Sequence, residues 1–427
     1  MSERDCGIEA YLTATPGVGG RIKADPEDFV VEEVSSPPPQ VEGGRYTIAR
    51  IRSRNWETNR LVREMARRLH ISRKRIAFAG TKDKRSVATR LFSFELPAND
   101  LALLHLADVE LLETYASDRP LEIGDLRGNR FALTVREMAV TGDEARTRIE
   151  ETLAVITATG GFPNFFGMQR FGSLRPITHI VGRHIVRGEF REAVNAYVAN
   201  PLEGEAEASF DAREALEKSG DYKAALASYP DILGFEKTIL HHLAGHPEDF
   251  VGALQALPFN LLLMFVHGYQ SSLFNRMLTE RLRRGMPIHR PLPGDFVLPV
   301  TAGGLVDRER WIPVGEANLG KVREQCAAGK AFVSGVLFGM DSPLASGAMG
   351  EIEARILEEE GVRSTDFLVP AIPRISSKGS RRELLCPLGP VTLSVREDAA
   401  SLGFSLPRGS YATCLVREIL KDETGLR

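Results

Sequence analysis

Residues 45–90 hold 15 Lys or Arg against three acids, Glu57, Glu64 and Asp83, a local charge of +12 in a chain of 427 residues whose total is −3. No fold can bury that many cations, so this segment must present one strongly basic face. Such a face suits a polyanionic partner. Residues 201–260 carry 11 acids against four bases, or −7. The basic character is therefore localised and does not coat the whole molecule. Asp83 stands inside Gly80-Thr81-Lys82-Asp83-Lys84-Arg85. A carboxylate among cations is favoured in its charged form, which suits a nucleophile.

The length predicts two domains. A hydrophobic share of 43% and a charged share of 26% fit a soluble globular chain. Cys6, Cys326, Cys386 and Cys414 show no C-x-x-C spacing. Neither a disulfide framework nor a zinc site is indicated, and a reducing cytoplasm is expected. The N-terminus is charged, without an apolar signal core. The apolar run at Leu261–Val266 is too short for a membrane span, which needs roughly 18 residues.

Strands are predicted over 28–34 and 46–52, 76–79, 87–96 and 131–136. A helix follows the second, capped by Asn55 or Thr58, with Leu61, Met65 and Leu69 on one face and Arg60, Arg63, Arg67 and Arg68 on the other. Asp83 then sits on a loop between two strands, where Gly80 permits a sharp turn. Helices are predicted over 143–158 and 260–284, with a helical region between them. Short strands and Pro/Gly loops fill 286–350, and a basic extended stretch begins near 373. The simplest arrangement inserts a middle domain into one built from both ends of the chain.

Four constellations invite a chemical reading. The Asp83 stretch is either an exposed polar turn or a catalytic carboxylate whose neighbours Lys82, Lys84 and Arg85 steer phosphates; a Walker-type phosphate loop is absent. Gly128-Asn129-Arg130-Phe131 is either a turn into a strand or a base-recognition pair. Asn129 and Phe131 fall on one side of the chain, an amide for a base edge and a ring for its face. Phe162–Gly172 concentrates four phenylalanines with Asn164, Gln169 and Arg170, as core or as the wall of a nucleotide pocket. Phe404–Thr413 reads as strand, turn and helix, with Ser410 as a cap. His242 and His246 have helical metal-ligand spacing but no acidic third ligand, which favours ordinary solvated or packed histidines. No Ser-His-Asp set is legible, and the deaminase signature H-x-E…P-C-x-x-C is missing.

In order along the chain, K-A-D-P-E-D-F-V-V-E-E-V (23–34), A-G-T-K-D-K-R-S-V-A-T-R (79–90), G-N-R-F (128–131), N-F-F-G-M-Q-R-F-G (164–172), Y-Q-S-S-L-F-N (269–275) and the segment 409–418 resemble the TruD family of tRNA pseudouridine synthases, in its archaeal form. The resemblance implies isomerisation of a tRNA uridine, at position 13, to pseudouridine, without cofactor or metal. It implies Asp83 as the catalytic aspartate, Asn129, Phe131 and Phe29 in the uridine pocket, and Lys23 beside the carboxylate. Tyr411 stands where bacterial members carry a pocket Phe, and Phe165 where the family often has Tyr. The implied fold is α+β, a V of two domains. Its catalytic domain (1–175 with 371–427) holds a curved mixed sheet flanked by helices. Its inserted α/β domain (176–370) selects the RNA. Lys82, Lys84, Arg85 and Arg170 are the expected phosphate contacts. The competing reading is a non-catalytic RNA-binding or chaperone protein using the same basic face.

Overall fold

Alternating apolar and polar side chains shape segments of residues 29–135, such as 29–35 and 126–135, into strands. In the computed structural model, which describes residues 2–172, 174–422 and 424–426, strand β1 is Phe29–Ser35, β2 Tyr46–Arg54, β3 Ile76–Phe78, β4 Val87–Phe94, β5 Val109–Ser117 and β6 Leu126–Val135. Helix α1, Thr58–Arg68, lies between β2 and β3, and α2, Gly142–Thr159, follows β6. Strands β7, Thr392–Arg396, and β8, Ala399–Pro407, join the same sheet ahead of helix α3, Ala412–Leu420. The eight-stranded order is β7-β8-β6-β1-β4-β2-β5, with β3 paired to β4 off that path. Pairings are antiparallel except β1 with β4, which is parallel. The fold is α+β with a mixed sheet, as the family resemblance implies.

Two features of this sheet position the site. Strand β1 pairs with Val87–Thr89 of β4, and β3 with Phe92–Phe94 on the same edge. Chain leaving β3 therefore finds its path along β4 already taken. It must leave the sheet and re-enter at Val87, and the Asp83 loop is that detour. Secondly, β6 extends back to Leu126, so Gly128-Asn129-Arg130 is strand interior and not the predicted turn. Gly128 is required there because a Cβ would lie 2.3 Å from the Leu406 carbonyl.

Helix α1 buries Leu61, Val62, Met65 and Ala66 in one core with Ile51, Phe92 and Phe94, each large side chain contributing about 1.5–3 kcal/mol. Its cap is Glu57, whose carboxylate accepts from the Asn59 and Arg60 amides at 2.8 Å each. Asn55 takes a left-handed φ of 58°. Thr58 turns its hydroxyl inward, where it accepts from Lys82 N at 3.0 Å and Arg90 Nη1 at 2.8 Å.

The chain divides into two compact units, Thr13–Phe162 with Cys386–Arg427, and Met1–Leu12 with Pro163–Leu385. These junctions differ from the expected 175 and 371. The basic stretch near 380 is the strand Ser380–Glu383, paired with Ala331–Leu337 inside the second unit. The N-terminal segment also belongs there: Asn275 Nδ2 donates to Cys6 O at 3.1 Å and Thr279 Oγ1 to Gly7 O at 2.7 Å. The second unit packs helices around the long helix Phe259–Arg283, beside a four-stranded sheet. Among the described residues no helix is long and apolar enough to cross a membrane. Among the described residues, Cys6, Cys326, Cys386 and Cys414 form no disulfide.

Candidate active site

The Asp83 loop is fastened from below. Lys82 points inward, and its Nζ meets Glu33 Oε1 at 2.5 Å with both side chains almost fully buried. Glu33 Oε2 also accepts from Leu91 N at 3.3 Å. Burial pulls the Lys82 ammonium below its ordinary pKa, with Glu33 working against that fall. Arg90 lies behind, its guanidinium drawn down to about 10 by burial. Lys82 was expected to contact phosphate; its side chain instead turns inward to Glu33, with little of it left exposed. Gly80 also serves otherwise than expected. Its φ is not left-handed; a Cβ there would press on Leu126 Cδ2 at 3.2 Å.

With Lys82 directed inward, its neighbour Asp83 is directed outward. The Asp83 side chain is 33% exposed, and its Oδ2 accepts from Lys23 Nζ at 2.6 Å. Ser86 Oγ closes the loop by donating to Asp83 O at 2.6 Å. Lys23 has φ 59°, a left-handed conformation that costs a non-glycine residue about 1–2 kcal/mol. The turn after it is secured by Asp28, buried, which takes Arg136 Nε on both oxygens at 2.8 and 2.9 Å.

Lys23 Nζ also lies 4.3 Å from the centre of the Phe29 ring. Phe29 meets Phe131 edge-on at 5.9 Å, and Phe404 stacks on Phe131 at 5.4 Å. The register explains the row: Val31 of β1 opposes Phe131, and Phe131 opposes Phe404 of β8. The structure thus brings Asp83, Lys23, Phe29 and Phe131 together. Phe131 is 7% exposed, with Phe404 covering one face, so it offers a rim more than an open platform. Asn129 shares the Phe131 side of β6, opposite Glu33. Among the described residues its buried Oδ1 has no hydrogen-bond partner, which marks it as an acceptor awaiting a donor. Phe404 and Glu33 are the residues that sequence reasoning missed. Glu33 falls in step with Phe29 and Val31, and that alternation was the available signal.

The other predicted contacts separate. Lys84 and Arg85 are exposed on the loop, and Arg85 Nη2 donates to Ala24 O. Tyr411 is half-buried and occupies the N-cap of α3, where Ser410 was predicted. Arg170 belongs to the second unit, its Nε donating to Ser271 Oγ at 3.1 Å. Phe162, Phe165 and Phe171 are core. His242 Nε2 pairs with Asp249 Oδ2 at 2.8 Å, an ordinary surface contact. The +12 field is also partly balanced by acids outside its window: Arg54 pairs with Glu27, Arg50 with Glu32, Arg52 with Glu110, and Arg45 with Glu95. Arg60, Arg63, Arg68, Arg73, Lys74 and Lys84 have no ion pair among the described residues and remain exposed.

A part-exposed carboxylate held by a lysine, an aromatic row and an amide whose buried oxygen lacks a partner among the described residues, on a unit rich in exposed arginines and lysines, are the parts of an enzyme that works on a nucleic-acid base. The chain matches the family described as tRNA pseudouridine synthase D (TruD) over residues 5–419. It is 42% identical over 429 residues to a protein named as tRNA pseudouridine synthase D in Methanococcoides burtonii, covering 99% of this chain and 97% of that one. It is 38% identical to the one so named in Thermococcus gammatolerans, covering 96% and 97%. The crystal structure of a TruD from Methanosarcina mazei superposes with a TM-score of 0.84 at 39% identity, covering 98% of each chain. The chain belongs to the tRNA pseudouridine synthase D (TruD) family and is an isomerase of that class.

Proposed function

We propose that this protein converts one uridine of tRNA, at position 13, to pseudouridine, with Asp83 as the nucleophile. The observation that carries the reading is the contact row Asp83–Lys23–Phe29–Phe131, with Asp83 its exposed end. In the reaction the C1′–N1 bond breaks and a C1′–C5 bond forms. N1 gains a proton and C5 loses one, so the base is rotated and nothing is consumed. A carboxylate serves this by adding to C1′ or to C6 and leaving again when the new bond is made. The base must be held while detached. The ring system supplies a surface for it, and Asn129 Oδ1 an acceptor for an imide N–H. Extruding the nucleotide costs a few kcal/mol, which contacts along the phosphate chain offset. Lys23 orients the attacking oxygens and balances their charge.

The division of labour follows: Thr13–Phe162 with Cys386–Arg427 is the catalytic unit, and the second unit selects the RNA. Asp83→Asn keeps size and hydrogen bonding but removes the nucleophile. We expect unmodified tRNA to be bound by this variant and no pseudouridine to form, scored by carbodiimide labelling and primer extension. Turnover equal to that of the parent would remove Asp83 from the chemistry. Binding without product by the parent chain would favour the chaperone reading.

A further inference from the structure

The second unit contains a cavity of about 280 Å³ whose lining includes Phe166, Arg170, His267, Gln270, Arg308 and Arg382 and, among the described residues, no carboxylate. Its arginines are held to different degrees. Arg308 is clamped by Glu383, Nη2 to Oε1 at 2.6 Å and Nε to Oε2 at 3.0 Å. Arg382 lies 4.2 Å from the Phe166 ring centre and donates from Nη2 to Asn164 Oδ1 at 2.6 Å. Arg170 is 5.5 Å from the same ring and is fastened through Nε to Ser271, with no ion pair among the described residues. Three guanidiniums thus face one space, and the charge of Arg170 meets no carboxylate among the described residues. Arg170 is half-buried, and a space lined by three guanidiniums and, among the described residues, no carboxylate suits an anionic group.

The remaining lining sharpens the chemistry. Gln270 spends its amide hydrogens on Phe338 O and Ser377 Oγ, at 2.6 and 3.0 Å, so its Oε1 is an acceptor. His267 is kept neutral at neutral pH, since burial and the nearby Arg170 push its imidazole down to about 4. It adds no further cation and can donate or accept one hydrogen bond. The volume is below the roughly 300–1,000 Å³ of drug-sized sites, so a single nucleotide is the upper limit. Guanidinium planes backed by a phenyl ring can stack on a base while their edges fork a phosphate.

We propose that this cavity is a phosphate site of the second unit that grips one nucleotide of the RNA substrate, with Arg170 as the group that closes on it. The proposal rests on the reading that the substrate is tRNA. Its test is therefore one of binding, made in the Asp83→Asn chain, where the fate of the nucleophile has no bearing. Unmodified tRNA is titrated at several KCl concentrations against Asp83→Asn and Asp83→Asn/Arg170→Gln. We expect affinity at 0.15 M KCl to fall about tenfold, and the log–log salt slope to become shallower by about one. Arg170→Lys should restore the slope and only part of the affinity, because it keeps the charge and loses the fork. Unchanged affinity and slope in Arg170→Gln, with its melting temperature equal to that of the parent, would overturn the proposal. A melting temperature raised by inorganic phosphate at fixed ionic strength, in an Arg170-dependent way and without any effect of Arg170 on tRNA affinity, would assign the cavity to a free anion and overturn it equally.

Discussion

Lys23 is the residue on which Asp83 depends most directly. It accepts a left-handed backbone, and in return its ammonium bridges the Asp83 carboxylate and the Phe29 ring. Replacing it by Met keeps the aliphatic stem and removes that bridge. A reacting group displaced by about 1 Å can lose about 10²-fold in rate, so Lys23→Met should lower the single-turnover rate by about that factor with little change in tRNA affinity. Stopped-time assays of pseudouridine at saturating enzyme measure it, and a rate within twofold of the parent would show that Asp83 needs no such partner. At this scale Asp83 itself was legible, because a lone acid among cations is conspicuous in any window of sequence. Lys82 was not. Its partner Glu33 lies 49 positions away, and composition alone cannot distinguish a cation facing solvent from one buried under its own loop. Phe404 was equally hidden, since only the pairing of β8 with β6 sets it against Phe131.

The elements explain why the loop stays in place. Strands β1 and β4 run parallel with Val30 opposite Val87, and Glu33 ties them to the loop through Lys82 and the Leu91 amide. Lys82→Met would leave Glu33 buried and unpaired, at a cost of about 3–5 kcal/mol. Read as hydrogen exchange, the amides shared by β1 and β4 should lose at least about 10²-fold of their protection. Adding Glu33→Gln should return much of it, because the orphaned charge disappears while an acceptor for Leu91 N remains. Equal protection in all the variants would mean that the ion pair contributes nothing to the loop. Periodicity made the strands at 29–35, 46–54, 76–78 and 87–94 visible in the sequence to within a few residues, but not those at 109–117 and 392–396, nor the start of β6 at Leu126. The cap of α1 was not visible either, because Asn55 and Thr58 are both suitable in type, and only tertiary contacts assign Thr58 to Lys82 and Arg90.

For the whole molecule, a net charge of −3 would suggest little attraction to RNA, while the 45–90 window alone overstates it. The two-part organisation was legible from the change of character along the chain. Its junctions were not, because the strand Ser380–Glu383 reads as basic and extended in either unit, and only its pairing with Ala331–Leu337 decides the matter. The same holds for charge: Glu27, Glu32, Glu95 and Glu110 neutralise several arginines from neighbouring strands. What remains is the set of exposed bases without ion pairs, among the described residues, around α1, the turn after it and the Asp83 loop. If about four of them meet phosphates, the salt slope is about −3.6, at −0.9 per phosphate. Raising KCl from 50 to 200 mM should then weaken tRNA binding by about 10²-fold. Reversing three charges on the outer face, by Arg60→Glu, Arg63→Glu and Arg68→Glu together, should flatten that slope substantially and leave the fold intact, because these side chains are exposed. A slope unchanged by the triple variant would place the RNA elsewhere on the protein.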